Sequence, residues 1–151
     1  MSVTVRTIDR ADLDALASIH AMCFPGAAWD RPALAGILAM QGADARLAEE
    51  PGRPLGLIFA IILGEEAEVL TIGVAPGARR LGIARMLLAD LYERAGARGA
   101  NRVVLEVAAD NGSAITLYET EGFRTVGLRH GYYQRERGPA IDAWLLRRML
   151  G

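Results

Sequence analysis

Val3, Val5 and Thr7 alternate with polar residues at the start of the chain, the period of a strand, and the run ends at Asp9. The spacing then turns helical. Leu13, Leu16, Ile19 and His20 follow Asp9, which reads as an N-cap, and Asp12 three residues on completes a capping box. A second helix is predicted from Asp30, a good cap, with Pro32 in the first turn and Leu34, Ile37 and Leu38 on one face. Arg46 to Glu49, Leu55 to Leu63 and Glu68 to Val74 read as a meander of antiparallel strands, broken at Pro51-Gly52 and Gly64-Glu65. Past Pro76 and Gly77, Ile83, Leu87 and Leu91 restore the helical period until Gly96 to Gly99. Val103 to Val107 is an apolar strand, Asn111 to Glu121 a short helix stopped by Gly122, and Phe123 to Leu128 and Ala140 to Leu146 are two closing strands.

The predicted order is therefore a strand, two helices, three strands, a helix, a strand, a helix and two strands, which implies a mixed α/β fold. With 151 residues and no internal repeat or long linker, the chain is expected to form one domain over 1–151. Composition adds little: 52% apolar and 23% charged residues are ordinary for a globular protein. A formal net charge of −1 gives no electrostatic case for nucleic acid. The longest apolar run, Leu55 to Leu63, falls well short of the ~20 residues that span a bilayer, and the N-terminus lacks the apolar core of a secretion signal. These segments give no reason to expect membrane contact, and the single Cys23, which excludes an internal disulfide, fits a reducing compartment, so a cytoplasmic location is expected.

Chemistry concentrates between Leu70 and Leu88, where an apolar strand enters a glycine-containing turn and then a helix. Unpaired N–H groups at such a helix start can hold a pyrophosphate; Gly82 and Ala84 leave room for close approach, and Arg79, Arg80 and Arg85 add charge. The residues alone leave open a turn merely shaped by Gly77 and Gly82 with solvated arginines. Two other phosphate motifs are excluded. Ile83-Ala84 occupies the place of a Walker Lys-Ser/Thr pair, and Gly-x-Gly-x-x-Gly is missing here.

The run Arg79-Arg80-Leu81-Gly82-Ile83-Ala84 resembles the Gln/Arg-x-x-Gly-x-Gly/Ala loop of the GNAT superfamily of acetyltransferases. LEVAADNGSAITLYETEGF, from Leu105 to Phe123, resembles the corresponding series of the ribosomal-protein alanine N-acetyltransferases, and the likeness extends more weakly through Arg129 to Tyr133 and Asp142-Ala143. The resemblance implies a GNAT-like domain: a mostly antiparallel sheet of about seven strands flanked by four helices. It also implies transfer of acetyl from acetyl-CoA to an amine, without a metal. Carried over residue by residue, Ile72, Gly73 and Val74 would meet the pantetheine arm, with the Val74 amide facing the thioester carbonyl. Arg79, Arg80, Leu81, Gly82, Ile83, Ala84 and Arg85 would bind the pyrophosphate and Asn111 the pantetheine. Glu106 would be the general base and Tyr118 the general acid.

Elementary chemistry supports those two roles. An α-amine with an ordinary pKa of about 8 is largely protonated at neutral pH and must lose a proton before it attacks a thioester. Glu106 alternates in direction with Leu105 and Val107, partial burial there would raise its pKa, and Tyr118 can protonate the departing thiolate. Taken singly, Glu106 also reads as a sheet-surface carboxylate and Tyr118 as a core aromatic. Cys23 reads as a small apolar residue, and His20 as decoration on the first helix. With only His20 and His130, no metal site is expected. Trp29, Tyr132 and Tyr133 suit either an acceptor groove or the core. Ala108 replaces an arginine common in the resembling enzymes, and Cys23 to Asp30 is longer than their Phe-Pro-Trp turn. The resemblance implies as acceptor the N-terminal α-amino group of a protein such as a ribosomal protein, and these two departures keep a lysine or a small amine as the alternative; a monomer or a homodimer is left open. A non-catalytic acyl-CoA-binding module would need neither Glu106 nor Tyr118.

Overall fold

A computed structural model describes residues 2–134 and 137–151. Strand β1 (Thr4–Thr7) leads through a 3-10 turn at Arg10–Asp12 into α1 (Leu13–Cys23) and α2 (Arg31–Leu38). Strands β2 (Ala43–Glu50), β3 (Arg53–Leu63) and β4 (Glu66–Val74) follow, then α3 (Ile83–Ala97), β5 (Arg102–Ala108), α4 (Gly112–Thr120), β6 (Arg124–Tyr133) and β7 (Ile141–Met149). The seven strands form one sheet in the order β1-β2-β3-β4-β5-β7-β6. Every pairing is antiparallel except β4 with β5. Seven strands and four helices, the expected α/β count, are present in the expected order.

Local chemistry explains the helix starts. Asp9 accepts from the Ala11 amide while Asp12 accepts from Asp9, so the predicted capping box closes the 3-10 turn that feeds α1. Asp30 caps α2 by accepting from the Ala33 amide at 3.0 Å. The helices cover opposite faces. Leu57 and Phe59 of β3 point into a core with Leu13, Leu16 and Leu34 of α1 and α2, whereas Ile58, Ala60 and Ile62 face Leu87, Leu88 and Leu91 of α3. Burial on both faces is why Leu55 to Ile62 is an unbroken apolar run.

Some predicted ends move. β2 begins at Ala43 and β7 reaches Met149, while Phe123 lies outside β6 and packs its buried ring edge-on against Tyr118 at 5.6 Å. β6 continues to Tyr133 because it is an outer strand, where Arg129 and His130 face solvent and dilute the apolar pattern. No described helix is long and apolar enough to cross a membrane.

One ion pair ties the layers together. Asp44 of β2 is 6% exposed and is gripped by Arg94 of α3, with Arg98 at 3.7 Å. Removing one partner of a buried pair strands the other charge, at a cost of about 3 kcal/mol or more. Arg94→Met should therefore lower the urea midpoint by an equivalent amount without changing the transition's slope, and adding Asp44→Asn should restore part of it.

Candidate active site

Strands β4 and β5 pair only over Glu66–Val69 and Arg102–Leu105, then part. The cause lies in β4. Its register against β3 jumps between Thr71, opposite Phe59, and Val69, opposite Ala60, so Leu70 is an extra residue and the strand bends there. Beyond the bulge the hydrogen-bonding alternation decides which way the main chain faces. The Ala75 amide donates to the Leu55 carbonyl, so Val74, one residue earlier, turns its amide and carbonyl away from β3 toward the opening. The Val74 carbonyl accepts there from the Cys23 thiol at 3.2 Å. Gly73 lets α1 approach closely here: a Cβ would stand 3.0 Å from Cys23 Sγ and 3.2 Å from the Phe24 ring, so these side chains would have to shift to accept one.

Three adjoining cavities run through the opening. On one side, about 370 Å³ is bounded by Cys23, Gly73, Val74, Arg79, Asn111 and Ser113. The middle cavity, about 300 Å³, brings together Ile72, Glu106, Asn111, Tyr118 and Tyr133. Glu106 and Tyr133 continue into a third of about 400 Å³, bordered also by His20, Trp29, Glu68 and Thr71. Residues from three strands and two helices thus line one passage.

Most of the sequence-derived site residues lie along it. Ile72, Gly73 and Val74 form its β4 wall, and Arg79 stands beside them. Asn111 is the N-cap of α4: its Oδ1 accepts from the Ala114 amide at 3.3 Å, so the cap orients the side chain but takes no proton from its NH2 group. Tyr118 of α4 is 7% exposed, and burial, with Tyr133 nearby, pushes its phenol up to about 12. Glu106 of β5 lies 3.4 Å from the Arg129 guanidinium, which in turn sits over the Tyr132 ring.

The turn before α3 is arranged differently from its neighbours. Arg80 and Gly82 take left-handed φ values of 66° and 78°, and no side chain caps α3, so its first amides keep their donors. No heavy atom lies within 4 Å of where a Gly82 Cβ would be. Leu81 is exposed, Ile83 is buried in the core and Ala84 is half-buried. Arg85 pairs with Glu121 at 3.4 Å.

His20 corrects the sequence reading, in which it only decorates α1. It is 2% exposed and held at both ring nitrogens, near Trp29 and Thr71, with burial lowering its pKa. Glu68, Thr71 and Phe24 also line the passage and were not singled out. Thr71 and Glu68 carry a faint signal, polar residues inside an otherwise apolar strand. Glu68 is pushed above the usual carboxylate range, chiefly by burial and then by the charge of Glu106.

Residues 13–123 match the acetyltransferase (GNAT) family. The chain belongs to that family. It is 38% identical over 154 residues to "N-alpha-acetyltransferase RimI" of Mycobacterium tuberculosis, covering 99% of this chain and 94% of that protein. It is 31% identical to "[Ribosomal protein bS18]-alanine N-acetyltransferase" of Salmonella typhimurium, covering 89% and 90%. The crystal structure of the ribosomal-protein-S18-alanine N-acetyltransferase from Escherichia coli superposes with a TM-score of 0.91 at 26% identity, covering 99% and 95%. This GNAT chain is an N-acetyltransferase: its reaction is acetyl transfer to an amine.

The buried imidazole also makes a prediction about stability. His20 takes up a proton near pH 6.5 when unfolded but only at lower pH when folded. The unfolded chain then binds more protons, so this contribution to stability is complete above that value and fades as pH falls toward the folded pKa. Glu68, with a raised pKa, acts in the opposite sense at more acidic pH. Urea midpoints measured from pH 7.5 to 5 should fall, and His20→Phe should remove the part of the slope due to the imidazole.

Proposed function

We propose that this enzyme acetylates the N-terminal α-amino group of a protein, with acetyl-CoA as donor and a ribosomal protein as the acceptor class. The observation that carries this reading is the single passage through the β4–β5 opening, which joins Val74 and Asn111 at one end to Glu106 and Tyr118 in the middle. The relatives of similar length named for N-terminal and ribosomal-protein acetylation support the acceptor class.

The donor's place follows from the chemistry of the lining. Uncapped amides of α3, the left-handed Gly82 with open space around it, and Arg79, Arg80 and Arg85 suit a pyrophosphate. Leu81, Ile83 and Ala84 contribute main chain rather than side chain to that cradle. Ile72, Gly73 and Val74 offer the pantetheine a strand edge, and Asn111 adds an amide donor. The Val74 amide, turned from β3, is the donor for the thioester oxygen as negative charge develops on it.

Proton traffic falls to two residues. Glu106 takes a proton from the incoming ammonium, directly or through water, so that the neutral amine attacks the thioester carbon. Tyr118 protonates the coenzyme A thiolate as the carbon–sulfur bond breaks; its high pKa keeps the phenol protonated throughout the neutral range. A screen of N-terminal peptides against lysine peptides and small amines, following free thiol, tests the acceptor assignment. Preference for a small amine over every peptide would overturn it.

Tyr118→Phe should retain acetyl-CoA affinity and lose roughly 10²-fold in kcat. Glu106→Gln should lose rate at neutral pH and regain part of it as pH rises and free amine accumulates; a profile parallel to the wild type would make Glu106 structural. Gly82→Trp places a bulky side chain in the open cradle and strains a left-handed position, so calorimetry should record acetyl-CoA binding weakened by about tenfold or more in a folded protein.

A further inference from the structure

His20 borders the cavity on the far side of Glu106 from the proposed donor, and the reaction scheme leaves it without a task. Its hydrogen bonds have a fixed polarity. Nδ1 accepts from the Trp29 amide at 3.0 Å, so the ring proton resides on Nε2, which donates to Thr71 Oγ1 at 3.1 Å. The Trp29 ring stacks on the imidazole, with centroids 5.0 Å apart and planes 16° from parallel, and Phe24 closes in at 4.5 Å.

Those contacts join two parts of the site that the chain itself does not hold together. Thr71 belongs to rigid β4, immediately after the Leu70 bulge. Trp29 belongs to the connection between α1 and α2, where Pro25 to Ala28 are exposed and a left-handed Gly26 has no neighbouring atom to confine it. Both residues line the same cavity as Glu106.

We propose that His20 is a positioning residue that pins Trp29 and its connecting segment to β4, and so fixes the wall against which the acceptor's first residue packs. This rests on reading that cavity as the amine's site. The imidazole suits the task because it is rigid and, when neutral, offers one acceptor and one donor in opposite directions. A carbon ring in its place would stack equally well but would leave the Trp29 amide, on a half-buried residue, and the buried Thr71 hydroxyl without these partners. Release of the wall should weaken acceptor binding and spare both the donor side and the bond-making step.

The full chain carrying His20→Phe and His20→Asn tests this, since asparagine can return the acceptor for Trp29 without the ring. His20→Phe should raise the acceptor KM by about tenfold or more with kcat within about threefold, and acetyl-CoA affinity by calorimetry should be unchanged. His20→Asn should recover much of the KM. A second readout needs no turnover: in a Trp144→Phe background Trp29 is the sole tryptophan, and acrylamide should quench it several-fold more strongly in His20→Phe than in the parent. An unchanged KM, or losses of acceptor and acetyl-CoA binding that run in parallel with no recovery in His20→Asn, would overturn the proposal. If the wild type acetylates no peptide or amine, the reading of the cavity has failed, and unaltered quenching would then dispose of the clamp as well.

Discussion

A sheet whose two central strands stop pairing part-way has main-chain amides and carbonyls that must find other partners, and this constraint organises the molecule. Leu70 creates it by adding one residue to β4, which bends the strand from β5 after only four paired positions. On a continuous sheet Val74 would spend its amide on a neighbour. Here that amide is turned to an opening where a ligand can use it.

Keeping such an opening apart without letting it collapse requires filling from both ends. The end of α1 is drawn down to Gly73 and bonded through Cys23 to the Val74 carbonyl, while α4, capped by Asn111, props the other margin and buries Tyr118. Burial of that phenol and its elevated pKa are thus consequences of the same wedge that holds the strands apart. The continuous core on either face of β3 supplies the rigidity against which the bend is held.

How much of this could be read beforehand depended on whether the relevant partner is near in sequence. Caps at Asp9 and Asp30 are local, and so were legible, as were the apolar strand β3 and the turn into α3. Glu106 and Tyr118 stood out because they fall within one short stretch, and the structure brings both to one cavity. The role of His20 was hidden because Thr71 is 51 residues away and no periodicity announces the contact. Leu70 was equally silent, since a bulge is a property of two strands in register and not of either one. The true length of β6 escaped because an exposed edge carries no apolar alternation.

The position of β7 bears on how an active molecule comes into being. It follows β6 in the chain yet lies between β6 and β5, so β6 has no place in the sheet until β7 has been made and inserted. Arg129, which pairs with Glu106, and Tyr132 and Tyr133, which line the passage, therefore reach their places last. As the chain is synthesised, β4, β5 and α4 have all been made before β6 can join, so the wall that β6 gives the passage is the last to be set in place.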